Sequence, residues 1–424
     1  MIIYYNKKRI YIFLFFVFVL LFVYAFQDFK TSRNIIGYLG ADRSAVHIAL
    51  FAVLTVLGLY YARTIYECRT ITINVKTTGG RGQKSTVKTA LWIITVWIII
   101  VNVVQHRIFE WSQAVHLGIS SLWILTYHFF SDYLKRFPSA WPQVKAFIGI
   151  MFGFYVFSAF YATYMLSMIF DRIAVVNLAY GVLVFLPWIS LMDNKKMRNV
   201  CFCLVLAVVL ISMKRGAIIV FPVMLLTSMM VKALVMKRQV LPVLKGTFVV
   251  ILFFSGLVIV NQWSEDFIAE RFSKEDLAYG SGRFQMYEMS IEEILERSQW
   301  ELLLGSGSGS SVEFLGTGTH NEWLEFLFCF GVIGVGFYAF LIISLGRELW
   351  QLIKMSSPYA PAYAMAFVYM LVVGIFGGIY FVHSTLYIMA FYGAVKGRMS
   401  VFAQNSQVLT TDFVHYRDKG IAAL

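Results

Sequence analysis

The sequence predicts an all-α, polytopic membrane protein, and three observations carry that reading. Hydrophobic residues make up 59% of the 424-residue chain against 14% charged, with a mean hydropathy of +0.71. The apolar residues fall in unbroken runs, such as IYIFLFFVFVLLFVYAF at 10–26, and not in the alternating pattern of a membrane barrel. One long polar stretch, 263–319, interrupts them. A soluble fold could not withdraw so much apolar surface from water. Inside a bilayer, backbone polar groups must be satisfied within their own segment, so the runs have to be helices.

Runs of membrane length predict about twelve helices, over 10–26, 45–62, 89–105, 113–131, 146–169, 172–191, 199–213, 216–231, 246–262, 322–345, 362–382 and 385–396. The first follows Lys7, Lys8 and Arg9 and precedes no small-residue cleavage site, so it reads as a retained helix with a cytoplasmic N-terminus. Alternation from there places most of the 36 Lys and Arg inside. Arg69, Lys76, Arg81, Lys84 and Lys88 share one inner loop, 63–88, whose TTGGRGQKST reads as a flexible basic linker. An even helix count puts both termini in the cytoplasm, with 397–424 as a polar tail. The chain 1–424 is then a single integral membrane domain, and the large loop 263–319, between helices nine and ten, is extracytoplasmic.

The formal charge of +13 follows from this bias and from attraction to the anionic headgroups of the lipid bilayer. No basic, aromatic-interleaved surface points to nucleic acid. Cys201, Cys203 and Cys329 fall in predicted spans and Cys68 in a cytoplasmic loop, a pattern that suits neither an external disulfide nor a zinc site. No metal and no cofactor is expected.

The outer loop is acidic and internally patterned. Phe284, Tyr287, Ile291, Ile294 and Leu295 recur at helical spacing after Ser281, a suitable N-cap, so an amphipathic helix should begin at Arg283 and lie on or near the membrane surface. The following GSGSGSS at 305–311 reads as a flexible hinge. It has neither the preceding strand nor the GK[ST] ending of a nucleotide loop.

Three places could carry chemistry. Lys214 and Arg215 sit in SMKRGAIIVFPV, between two apolar runs too long together for one crossing, so a hairpin is required. Arms of roughly 22–24 Å at 1.5 Å per residue would sink the two cations below the outer surface. Snorkelling or a salt bridge would explain them, and so would an anion site, for which the arginine fork suits phosphate. His320 is the outer loop's histidine, beside Asn321, where the chain returns to the membrane; neutral imidazole can take a proton from a hydroxyl near neutral pH. Glu322 is explained as a helix N-terminal acid. Glu325, one turn deeper, is not.

These segments resemble, in order, the O-antigen polymerase and O-antigen ligase family of bacterial glycan-assembly enzymes. SMKRGAIIVFPV is similar to the family's basic turn and aligns its arginine with Arg215. GSGRFQMYEMSIEEI is similar to its loop-helix motif and aligns a second arginine with Arg283. LLGSGSGSSVEFLGTGTHNEWLEFLFCFGVIGVGFYAFL, with its His-Asn pair and Gly-x-x-Gly helix, aligns the essential histidine with His320. The resemblance covers about 205–345; the N-terminal half is similar in hydropathy alone.

The resemblance implies metal-independent, inverting transfer of a glycan from an undecaprenyl diphosphate-linked oligosaccharide donor to a glycan acceptor. His320 would be the general base, Arg215 and Arg283 would hold the diphosphate, Lys214 would assist, and Asn321 and Glu325 would serve substrate binding. The expected reaction is polymerisation, with a second carrier-linked repeat unit as acceptor. The alternatives are ligation to lipid A core and, more remotely, a lipid-linked oligosaccharide flippase. The implied setting is the bacterial inner membrane, with the active site facing the periplasm and a flippase and chain-length regulator as partners.

Overall fold

The computed structural model describes residues 85–105, 111–170, 175, 177–236, 240–273, 282–378 and 383–400. The expected spans 10–26 and 45–62, most of the basic loop 63–88, Ser281 and the tail beyond residue 400 lie outside the described residues. Every regular element among them is helical. In chain order these are α1 (Thr86–Val104), α2 (Trp111–Arg136), α3 (Trp141–Phe170), α4 (Leu178–Leu183), α5 (Leu186–Ser190), α6 (Lys195–Ile211), α7 (Arg215–Val235), α8 (Leu241–Trp263), α9 (Phe267–Arg271), α10 (Arg283–Glu296), α11 (Gln299–Leu304), α12 (Ser310–Leu315), α13 (Glu322–Lys354) and α14 (Ala360–Phe376). A final helix, α15, covers 386–400.

Five segments are long and apolar enough to cross a membrane: α1, Pro138–Tyr164 within and just before α3, α7, α8 and α13. The chain is thus an all-α membrane-embedded protein. Its outermost helix shows why lipid is needed. Along α8 only Pro242, Gly246, Phe253 and Leu257 are buried, while Leu244, Phe248, Ile251, Phe254, Val258 and Ile259 are exposed. In water that apolar surface would be an aggregation face; against acyl chains it costs nothing.

Several predicted spans change on inspection. The single helix expected over 172–191 is two short ones, because the chain turns at Val184–Phe185 and Pro187 starts a new helix where its missing N–H does no harm. The span expected over 362–382 stops at Phe376, before Gly377 and Gly378. Ser85 caps α1, so Lys88 is helical rather than part of a linker.

The break required before Arg215 is present, at Ser212–Lys214, with Met213 in the left-handed region at φ 50°. The two arms are unequal, however. α6 has 17 residues and α7 has 21, about 25 and 31 Å at 1.5 Å per residue, so α7 is long enough to cross. α7 packs chiefly on α14 and α8, not back along α6. At the far end of α13 from His320, buried Glu348 accepts from Ser85 (3.2 Å), Tyr363 (3.1 Å) and Lys396 (2.9 Å), tying α13, α14, α15 and the start of α1 together.

The glycine-rich stretch is not a hinge. Gly305, Gly307, Gly309 and Ser308 are buried, and the segment packs backbone against backbone on a break in α13 at Gly331, where φ is 66° and ψ −172°. The break frees carbonyls that the neighbouring elements then satisfy. Phe328 O accepts from Ser306 N (3.3 Å) and Arg297 Nη1 (2.7 Å), Cys329 O from Gly307 N (2.8 Å), and Phe330 O from Trp97 Nε1 (3.1 Å). α1 holds the other side: Asn102 exchanges two hydrogen bonds with Ser308, at 2.9 and 3.0 Å, and Gln105 donates to Gly305 O at 2.7 Å. Inside a membrane protein such non-helical backbone persists only when its polar groups are paired in this way.

Candidate functional site

Three segments bring four basic side chains to one place. Lys214 caps α7 and Arg215 is its first residue. Arg215 Nη1 donates to the carbonyl of Arg271, the last residue of α9, at 2.7 Å. Arg283 opens α10 and donates to Phe376 O, at the C-terminus of α14, at 3.0 Å, where the helix dipole favours a cation. The predicted N-cap is corrected here: Gly282 takes that position with φ 62°, a left-handed conformation glycine adopts without strain.

Lys214 reports how crowded these charges are. Burial lowers its pKa to about 8, and Arg283, Arg271 and Arg215 add to the effect by repulsion. Neither Lys214 nor Arg283 forms an ion pair among the described residues. Cations gathered in a partly dehydrated place repel one another unless an anion joins them, so the cluster is suited to a polyanion.

His320 stands beside the cluster. Its own backbone is left-handed, at φ 55°, unusual for a residue with a side chain and a conformation that needs support on both sides. Tyr287, one turn into α10, donates to its carbonyl at 3.4 Å. Loss of hydration lowers the imidazole pKa, the charges of Arg283 and Lys214 lower it further, and Glu325 pulls weakly the other way. The ring therefore stays neutral, and able to accept a proton, at pH values where an ordinary histidine is partly charged.

Asn321 and Glu325, expected to serve substrate binding, both hydrogen-bond to the scaffold. Asn321 caps α13, its side-chain oxygen accepting from Leu324 N at 3.1 Å. The buried Glu325 carboxyl accepts from Ser311 Oγ (2.5 Å), Thr319 N (2.9 Å) and Thr319 Oγ1 (2.9 Å), with Cys329 Sγ at 3.5 Å. Its acceptor positions serve the loop, so it holds His320 in place through the preceding residue. Glu325→Ala should leave the buried Ser311 hydroxyl and the Thr319 N–H without their acceptor, while the Thr319 hydroxyl keeps the Asn321 carbonyl at 2.9 Å, costing about 2 kcal/mol or more. A lowered thermal midpoint and faster amide exchange at Thr319–Asn321 would show it.

The amphipathic helix α10 begins where predicted, but its apolar face is mostly open. Ser290 and Ile294 are buried, whereas Phe284, Ile291 and Leu295 are exposed. Two members of the site carry no sequence signal. Arg271 is one basic residue in an acidic loop, and Tyr180 is one aromatic in an apolar helix whose ring lies 5.8 Å from Lys214 Nζ. Among the described residues no group of three His, Cys, Asp or Glu could hold a metal ion.

No family model matches the chain, and no curated protein is similar to it at a significant level.

Proposed function

We propose that the chain is a membrane glycosyltransferase that moves a glycan from an undecaprenyl diphosphate-linked donor to a sugar hydroxyl of a second carrier-linked repeat unit, at the periplasmic face of a bacterial inner membrane. The observation that carries this reading is the gathering of Arg215 and Arg283 around Lys214, with Lys214 and Arg283 in turn acting on His320 and lowering its pKa. The diphosphate would occupy the cationic cluster with the anomeric carbon toward His320. The imidazole takes the proton of the acceptor hydroxyl, whose oxygen bonds to the anomeric carbon from the opposite face. The bond from that carbon to the diphosphate oxygen breaks, and the electron pair leaves with the diphosphate, so configuration inverts. The arginines stabilise the charge that develops on the leaving group, an effect of about 3–4 kcal/mol for one well-placed donor in comparable sites.

Two features support this assignment of roles. A base needs a neutral form at working pH, and His320's depressed pKa supplies it. A diphosphate needs counter-charges without competing carboxylates, and Glu325 is turned to the loop. The test is purified protein in proteoliposomes given carrier-linked repeat units with and without lipid A core. Ladder growth without core is expected; product only with core would make the protein a ligase, and transport without transfer a flippase.

The pH profile of kcat/KM should be a bell. Its acid limb should lie below about 6.5, the ordinary histidine value, because His320 is depressed. Its alkaline limb should lie near 8, where free-enzyme Lys214 loses its proton. Lys214→Arg keeps the cation and should remove the alkaline limb. Lys214→Gln removes a neighbouring positive charge, raising the imidazole pKa, and should move the acid limb to higher pH. An acid limb at the ordinary value that ignores Lys214→Gln would contradict the base assignment.

A further inference from the structure

The sequence reading leaves 299–315 outside the membrane with the rest of the loop, but its packing puts it level with hydrocarbon. Between Glu325 and Arg347, α13 carries no Asp, Glu, Lys or Arg over 21 residues. At 1.5 Å per residue that run is about 31 Å, the thickness of a hydrocarbon core. Phe328, Cys329 and Gly331 belong to its first six residues, within about 9 Å of the end nearer His320. Those are the residues on which 303–307 packs. Ser306 N and Gly307 N donate to the Phe328 and Cys329 carbonyls, and Leu303 O is 2.2 Å from where a Gly331 Cβ would stand.

What the segment shows its surroundings fits that level. Its non-helical backbone is turned inward, with Gly305, Gly307, Ser308 and Gly309 buried. Outward face two short helices: α11, which has no buried residue and exposes Trp300 (74%), Leu302 and Leu303, and α12, which exposes Val312 and Phe314. Irregular backbone against lipid would be prohibitive, whereas apolar side chains on a helix are not. α1 carries the same kind of surface up to this point: Ile99, Ile100, Val103 and Val104 are exposed, while Asn102 and Gln105 bond to Ser308 and Gly305. Glu301 and Glu313 are exposed too. The depth is therefore that of the membrane boundary, where carboxylates reach water and tryptophan is favoured.

We propose that α11 and α12 form an interfacial anchor, their apolar side chains set among the acyl chains of phospholipids in the leaflet on the His320 side. This rests on membrane embedding alone and not on the transferase reading. It has a consequence for the site. Ser311 of α12 and Thr319 both donate to Glu325, so the anchor ties the root of the His320 loop to the bilayer surface.

The experiment uses the full chain in nanodiscs containing a phospholipid with a diazirine near the carboxyl end of one acyl chain. After irradiation and digestion, mass spectrometry maps the adducts. Adducts on Trp300, Leu302, Leu303 and Phe314 are expected, alongside those on Val258 and Ile259 of α8. Adducts on α8 with none in 299–315 would overturn the anchor, whether water or a second protein covers that face. Trp300→Phe gives a second reading without crosslinking, because subtracting its emission from that of wild type isolates Trp300. That component should be quenched by phospholipid brominated near the head of its acyl chain and protected from aqueous iodide; the reverse pattern overturns the proposal.

Discussion

His320→Ala should lower the transfer rate by about 10²- to 10⁴-fold, the usual contribution of a positioned general base, while donor binding and the thermal midpoint stay near wild type. Both halves of that expectation come from geometry. The residue is exposed, so truncation opens no cavity in the bundle. What fixes the ring is its neighbours: Thr319 is held by Glu325, Asn321 caps α13, and Tyr287 reaches the His320 carbonyl. Those contacts survive removal of the imidazole. The left-handed φ of 55° should become no easier with alanine, so no stabilisation is expected either. Initial rates with carrier-linked donor, set beside donor affinity and thermal unfolding of the same preparation, check this. A variant that loses affinity or folding along with rate would assign His320 a structural role.

Gly331→Ala should have the largest effect on the fold itself. Its Cβ would lie 2.2 Å from Leu303 O and 2.7 Å from Gly305 N, both backbone atoms that cannot rotate away. The conformation, at φ 66° and ψ −172°, is one that side-chain-bearing residues avoid at about 1–3 kcal/mol even in open space. Collision and strain together should cost more than about 4 kcal/mol, a loss reserved for a few severe mechanisms. The damage would propagate. Separating α13 from the 303–307 segment removes the partners of the Phe328 and Cys329 carbonyls and loosens the loop that carries His320. Gly336→Ala is the control, since nothing lies within 4 Å of its added Cβ. That change should be neutral or stabilising by up to about 1 kcal/mol. Thermal unfolding of the detergent-solubilised pair separates the two outcomes; equal midpoints would mean that the Gly331 break is not needed.

Hydropathy and charge made much of this architecture legible. Length alone showed that the apolar stretch around Lys214 must break, and the periodicity after Gly282 located the start of α10. The glycine-rich segment defeated the same reasoning because glycine signals permissive backbone without saying whether that freedom is used for motion or for close approach. Here it is close approach, and the signal was split between Gly305 and Gly331, which become partners only in three dimensions. FLFCFGVIGVGFYAFL likewise reads as one uninterrupted helix, since a break whose carbonyls are satisfied by distant residues leaves no mark on hydrophobicity. Lys214 and Arg215 stood out through charge in apolar surroundings, His320 through its place where the loop returns to the membrane, and Arg283 through the resemblance of its helix to a family motif. Tyr180 and Arg271 did not stand out, being ordinary residues made special by what folds against them. Glu325 was noticed for its depth and assigned to substrate, whereas the donors that occupy it come from Ser311 and Thr319, close in sequence but aimed at it only after the loop has folded.

In the proposed reaction a cationic site binds the carrier diphosphate while His320 activates the acceptor. The most direct measurement follows undecaprenyl diphosphate release and glycan length together, using purified protein and undecaprenyl diphosphate-linked repeat units. Release of one carrier for each unit added is expected, with both signals lost in His320→Ala although the donor still binds. Chain growth without carrier release, or release at the wild-type rate in His320→Ala, would contradict it.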